Sequence, residues 1–167
     1  MRDRSFVAAH RGGPLDRDSH VLLARWAADC AERVLHLFTR AGEDLRPKHA
    51  LEIARAWADG EVRTGAAMKA SRAAHAAARE ATDKAAIAAA RAAGHAVATA
   101  HAADHSMGAL LYAMKALEAA GSPSERELNV QLAKLPPQLR GPVSAGISIR
   151  LKKLGIGGAV AAFVRQS

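Results

Sequence analysis

Residues 83–120 read DKAAIAAARAAGHAVATAHAADHSMGALLYAMKALEAA, and this stretch decides the fold. Alanine dominates it and has the best intrinsic helix propensity, so the stretch predicts one long helix. At about 100° per residue, four basic side chains fall within roughly 120° of one face of that helix. They are Arg91, His95, His101 and His105. Because these side chains donate hydrogen bonds to carboxylates, phosphates and carbonyl groups, the face is a candidate binding surface.

The composition extends this helical prediction to the rest of the chain. Alanine supplies 42 of the 167 residues and aromatic residues only 4%. No segment alternates apolar and polar residues over the length of a strand, so we predict an all-α fold of five to seven helices. The length fits one domain. We expect residues 1–18 to form an irregular arm, since Gly12-Gly13-Pro14 interrupts any helix, and residues 19–167 to form the helical domain.

Caps, prolines and glycines predict the helix boundaries. The predicted helices cover residues 19–41, 47–60, 64–81, 83–120, 122–135 and 140–154, with a short apolar tail over 159–164. The predicted N-terminal caps are Asp18 or Ser19, Thr64, and Thr82 or Asp83. Gly108 is expected to bend or divide the long fourth helix. Ser122 and Glu125 have the spacing of a capping box, with Pro123 in the first turn.

Apolar residues at helical spacing predict the core. Those of the first two helices are Leu22, Leu23, Trp26, Cys30, Val34, Leu37, Phe38, Leu51, Ile53, Ala54 and Trp57. Trp26 and Trp57 are expected to be mostly buried. Cys30 lies within the first stripe and is interpreted as a buried structural cysteine rather than a nucleophile.

The third predicted helix carries a second polar face. Arg72, His75 and Arg79 follow Met68 at four, seven and eleven residues, which places them on one side. A short turn joins this helix to the next, so the two are expected to be antiparallel. The two polar faces then either form one cluster, able to bind an anion or a carboxylate and to use histidine in acid–base catalysis, or point apart. The sequence leaves both arrangements open because it does not specify how the helices are rotated.

The histidine spacing also raises the question of a metal. His101 and His105 are four residues apart, as in helical zinc pairs, but Ala102 occupies the position of the glutamate in H-E-x-x-H. Nearby sequence offers no evident third ligand. We therefore predict no bound metal and no cofactor. Gly155, Gly157 and Gly158 do not have the spacing of a nucleotide-binding loop.

The net charge of +8 limits the possible partners. Residues 122–167 contribute a net +5, from seven cations and two anions. We do not expect nucleic acid to be a partner, because aromatic residues for base stacking are scarce and no known nucleic-acid-binding motif is present. We expect no membrane span and no secretory signal, and the single cysteine fits a reducing compartment, so we predict a cytoplasmic protein. No feature of the sequence indicates an oligomeric state.

Four segments of the chain form a recognisable series: LLARWAADCAERVLHLF (22–38), ALEIARAWADGEV (50–62), AAHAAAREA (73–81) and AAIAAARAAGHAVATAHAADHSMGALLYAMKAL (85–117). Together they resemble a bacterial immunity-protein family of polymorphic toxin systems. The resemblance extends weakly through LAKLPPQLR (132–140) and implies a helical domain that neutralises a cognate toxin by binding it.

No catalytic residues are carried over with this family. Arg72, His75, Arg79, Arg91, His95 and His105 are therefore the candidate residues for partner or anion binding. The alternative is a small helical enzyme acting on an anionic or carbonyl substrate, as in a biosynthetic pathway. Its candidate catalytic residues are His75, His95, His101, His105 and Arg91.

Overall fold

The computed structural model describes residues 3–154, which contain seven α-helices and no β-strand. The helices are α1 (Arg17–Thr39), α2 (Arg46–Ala58), α3 (Thr64–Glu80), α4 (Lys84–Ala98), α5 (His105–Ala119), α6 (Glu125–Ala133) and α7 (Pro137–Leu154). The predicted all-α class is confirmed, and the helix number agrees with the expectation. The apolar tail predicted over 159–164 lies outside the described residues. No helix within 3–154 combines the length and apolarity needed to cross a membrane.

The central helix is α4, which contacts α1, α2, α3 and α5. Every residue of α4 is buried except four, which recur at spacings of three, four and four. These four are Lys84, Ile87, Arg91 and His95. Alanine and glycine fill most of the buried positions because only small side chains let helix axes approach closely on several sides at once. The packing therefore leaves α4 a single open stripe, and that stripe carries two of the candidate residues.

The predicted core of α1 and α2 is largely correct. Trp26 and Trp57 are 5% and 4% exposed, and Cys30 is fully buried. Ile53 is half-buried against the core. Leu22 was predicted to be in the core but is 44% exposed, because it lies on the edge of the stripe where no other helix covers it.

The polar edges of both tryptophans have hydrogen-bond partners. The indole N–H of Trp26 donates to the backbone oxygen of Gln131 at 2.8 Å, which ties α1 to α6. That of Trp57 donates to the Thr64 hydroxyl at 3.1 Å. The predicted cap at Thr64 is therefore wrong: Arg63 is the N-cap of α3, and the Thr64 side chain serves Trp57 instead.

The first helix begins two residues earlier than the sequence predicts. Its N-cap is Asp16, whose carboxylate accepts the Ser19 N–H at 2.7 Å. Before it, two short 3-10 helices run over Arg4–Phe6 and Ala9–Arg11. Phe6 and Leu15 are buried in the same apolar cluster as Trp26, so this segment packs against the core.

The long fourth helix predicted over 83–120 is divided, and the division is not at Gly108. It falls between Ala98 and His105. The buried imidazole of His20, on α1, hydrogen-bonds through Nε2 to the Thr99 carbonyl at 2.6 Å. That carbonyl is thus engaged by a side chain where a continuing helix would use it for a backbone bond, and the chain turns there.

The last two helices also begin at other residues than the sequence predicts. The capping box at Ser122 and Glu125 does not form, because α6 begins only at Glu125. Ser124 directs its hydroxyl to the Glu118 carboxylate at 2.7 Å. The last helix begins at Pro137 instead of residue 140, in agreement with the preference of proline for a first helical turn.

Asp83 caps α4, as predicted, by accepting the Ala86 N–H at 2.8 Å. We expect Asp83→Ala to lower the free energy of unfolding by about 1 kcal/mol, the usual effect of losing an N-cap, while Asp83→Ser retains most of the stability. Urea unfolding of the two variants measures this. Thr82→Ala, an exposed neighbour without a capping role, is the control; an equal loss in Asp83→Ala and Thr82→Ala would contradict the assignment.

Candidate functional site

A cleft of about 600 Å³ opens where α3, α4 and α5 meet. Its lining residues are Arg72, His75 and Arg79 from α3, Arg91 and His95 from α4, and Tyr112 from α5. We call it the Arg/His cleft. Of the two arrangements that the sequence leaves open, the structure has the shared cluster, because Arg91 and His95 lie on the open stripe of α4 that faces the polar side of α3.

Two glycines make room for the imidazoles of this cleft. A Cβ at Gly94 would lie 2.8 Å from the ring of His75, and one at Gly108 would lie 2.6 Å from Nδ1 of His95. Glycine within a helix lowers helix stability by about 1 kcal/mol relative to alanine. At these two positions that loss is accompanied by close packing of the imidazole rings. The prediction that Gly108 bends or divides the helix is therefore wrong. Gly108 lies within α5 and accommodates a ring from α4.

The rings form one contiguous group centred on His95. Its imidazole stacks on Tyr112 with centroids 5.1 Å apart and an interplanar angle of 13°. It meets His75 edge-on at 5.2 Å and lies 5.4 Å from the His105 ring. The Nδ1 atoms of His95 and His105 are 3.2 Å apart, at hydrogen-bond distance. One nitrogen must donate and the other accept, so the two rings cannot both be protonated while this bond exists.

Burial keeps two of these imidazoles neutral. Burial, together with charge repulsion from the neighbouring His105, His75 and Arg91, lowers the pKa of His95 to about 3. Burial also lowers the pKa of His75, helped by Arg91, His105 and Arg79. At neutral pH both rings are therefore uncharged hydrogen-bonding groups. The net charge of the cleft comes from its arginines.

Among residues 3–154 the three cleft arginines form no salt bridge, and no aspartate or glutamate lines the cleft. Arg79 attracts the Glu80 carboxylate electrostatically, but that carboxylate pairs with Arg46. Arg91 instead lies over the Tyr112 ring, with Cζ 5.7 Å from the centroid. Four arginines of α1 and α2 are paired: Arg25 with Asp59, Arg33 with Glu127, Arg46 with Asp44 and Glu80, and Arg55 with Asp29 and Glu32. The cleft thus concentrates positive charge with no carboxylate among its described lining residues.

Two other candidate residues occupy different places. His101 lies in the turn between α4 and α5 and does not line the cleft. His105 is the first residue of α5 and reaches the cleft group through His95. The prediction that they share a helix face four residues apart is wrong, because the helix ends before them. Among the described residues, no three His, Cys, Asp or Glu side chains are grouped so as to hold a metal ion.

Sequence reasoning missed three residues of the site, namely Tyr112, Gly94 and Gly108. Tyr112 is one aromatic residue in an otherwise aliphatic helix, and nothing in the sequence ties it to His95. The glycines did leave a signal. In a chain where alanine fills most small positions, a helical glycine marks a candidate position for close packing, which the structure shows at Gly94 and Gly108 but not at Gly65.

A family model described as Imm-5 like putative immunity protein matches residues 13–138, a span that includes every residue of the Arg/His cleft. The chain belongs to the Imm-5 like immunity protein family. In this chain the matched region is all-helical and contains a cationic cleft. No curated protein and no solved structure matches it.

The neutral imidazoles make stability depend on pH. The folded-state pKa of His95, about 3, is below its ordinary value of 6.5, so the unfolded chain binds more protons between these values. The contribution of His95 to the free energy of unfolding is therefore fully present above about pH 7. It decreases as the pH falls, by up to about 1.4 kcal/mol per pH unit. We expect chemical unfolding from pH 7 to 5 to show this slope, and His95→Asn to reduce it.

His36→Asn is the control for the pH experiment, because His36 is exposed on α1. Its slope should equal that of the parent chain. Parallel slopes for His95→Asn and the parent would show that His95 is not held neutral by the fold.

The glycine at position 94 provides a second prediction. Gly94→Ala should lower the free energy of unfolding by about 1–3 kcal/mol, because the new methyl group overlaps the His75 ring. Gly65→Ala is the control: Gly65 is also a helical glycine, in the first turn of α3, but its Cβ would meet nothing within 4 Å. There alanine should be neutral or stabilising by up to about 1 kcal/mol. Thermal unfolding compares the two, and a stabilised Gly94→Ala would refute the close packing.

Proposed function

We propose that this chain is an immunity protein that neutralises a cognate toxin of a polymorphic toxin system by binding it in the bacterial cytoplasm. The Arg/His cleft is the contact site in this proposal. Family membership supports the general role. The observation that carries the choice of site is that Arg72, Arg79 and Arg91 line one cleft and form no salt bridge among the described residues.

The chemistry of these arginines indicates what they bind. A guanidinium group holds a carboxylate through two parallel hydrogen bonds, and this geometry is common at protein interfaces. Arg72 and Arg79 are exposed and Arg91 is half-buried, so a protruding acidic segment could reach all three. The toxin surface that enters the cleft should therefore carry aspartate or glutamate.

The charge of the whole chain favours the same partner. A net charge of +8 attracts an acidic surface over a distance and raises the association rate at low salt. It does not complement the basic active site of a nuclease toxin. We therefore propose a toxin with an acidic contact surface, or one that does not act on nucleic acid.

A second candidate function is acid–base catalysis on an anionic or carbonyl substrate. It is favoured by the His95–His105 hydrogen bond beside Tyr112 in a cleft open to solvent. The low pKa of His95 argues against it as a general base at neutral pH, since a group with a pKa of about 3 removes protons poorly there. Binding is therefore the proposal, and catalysis is tested beside it.

The test begins by sequencing the genes beside this one. A toxin domain encoded there is then produced together with the chain in a bacterial growth assay. We expect the chain to restore growth and to form a complex with that domain. Arg91→Ala should weaken the complex at least tenfold, which is about 1.4 kcal/mol, because a desolvated carboxylate loses its partner. Binding is measured by titration calorimetry at two salt concentrations.

Arg126→Ala removes the same charge from the exposed face of α6 and serves as the control. It should leave the affinity within about twofold of the parent value. Unchanged protection by Arg91→Ala and Arg79→Ala together would remove the cleft from the interface. Turnover of a substrate by the purified chain, lost in His95→Ala with helicity intact, would support the enzyme instead.

A further inference from the structure

We propose that the Arg/His cleft also binds a small phosphate-type dianion, either inorganic phosphate or the phosphate of a monoester, with Arg72, Arg79 and Arg91 as its charged ligands and His75 as a further hydrogen-bond donor. The ligand is a small molecule and its binding requires no toxin. The inference therefore goes beyond the proposed function and can hold or fail separately from it.

The charge of the cleft is the first argument. Three guanidinium groups from two helices line one volume, and within residues 3–154 no carboxylate lines it with them. Four arginines of α1 and α2 have such carboxylates at contact distance. A site whose described lining residues carry about three positive charges and no carboxylate is matched best by a multiply charged anion.

The arrangement of donors is the second argument. On α3, His75 lies between Arg72 and Arg79 on the same face, and Arg91 faces them from α4. Arg72 and Arg79 are two helical turns apart, about 10 Å along the axis, so their side chains approach the cleft from its two ends. A phosphate group offers several oxygens to donors arriving from different directions, whereas a single carboxylate offers two. The volume of about 600 Å³ accepts a phosphate together with a small esterified group.

The aromatic content of the cleft separates this ligand from nucleic acid. Tyr112 is the one aromatic residue other than histidine among the lining residues, and it already contacts both His95 and Arg91. Proteins that bind single strands stack successive bases on several aromatic side chains. The cleft thus recognises a charged group and offers little to a base.

Protonation gives the proposal a second observable. The ring of His75 faces Arg79 on its own helix, Arg91 and His95 on α4, and His105 on α5. The cations among these groups help to keep His75 neutral, and a dianion among them reverses that effect. For a dianion that does not itself titrate, binding should therefore be accompanied by proton uptake, and its affinity should rise as the pH falls.

The experiment titrates the full chain with inorganic phosphate, phenyl phosphate and acetate by calorimetry at pH 7 and constant ionic strength. We expect phosphate or its monoester to bind at least tenfold more tightly than acetate. Arg91→Gln and, separately, Arg79→Gln should each weaken this binding at least tenfold, while Arg126→Gln leaves it within twofold. Circular dichroism confirms that each variant is folded. The ratio of the phosphate and phenyl phosphate affinities identifies which source the cleft prefers.

Sulfate serves as the probe of proton uptake because it does not titrate between pH 5.5 and 7.5. Its affinity should rise at the lower pH, with net proton uptake that disappears in His75→Asn. A pH-independent sulfate affinity would remove His75 from the site. The whole inference is overturned if phosphate binds no better than acetate, or if both arginine variants bind like the parent. A single-stranded oligonucleotide that binds through these arginines while phosphate does not would reassign the cleft to nucleic acid.

Discussion

Close packing around α4 is the constraint on which the rest of the structure depends. This helix touches four others, so its side chains are limited to alanine, glycine and valine wherever a neighbour approaches. Larger or polar side chains fit only on the one stripe that the neighbours leave open. Arg91 and His95 occupy that stripe, and α3 and α5 complete the cleft around them. The position of the candidate site is thus a consequence of how the core is packed.

The same packing determines the chemistry of the cleft. The ring of His75 packs against Gly94 and the ring of His95 packs against Gly108. Burial lowers the pKa of both rings, so they are neutral at pH 7. These neutral rings can donate and accept hydrogen bonds without adding charge. The charge of the cleft comes from Arg72, Arg79 and Arg91. A toxin carboxylate and a phosphate group both suit this division of roles, and they would compete for the same arginines.

The sequence predicted much of the helical framework because its signals are local. Alanine content, the Asp83 cap and the apolar spacing of α1 all act within a few residues of the chain, and each agrees with the structure. It failed where a distant group intervened. The break after Ala98 coincides with a hydrogen bond from His20 to Thr99, seventy-nine residues apart in the chain, which no local pattern predicts. Likewise, the Thr64 hydroxyl accepts a hydrogen bond from Trp57 of the preceding helix and does not cap α3.

By itself, the sequence determined the helical class, most of the core and the presence of two basic faces, because periodicity and propensity are properties of the chain alone. It could not decide whether those faces meet, since that depends on the rotation of one helix against another. Only the tertiary structure decided this, by placing His75 on Gly94 and His95 on Gly108. The rotation that permits these contacts also turns Arg91 toward α3. Rings from three helices and charges from two then share one cleft because the glycines allow the helices to approach so closely.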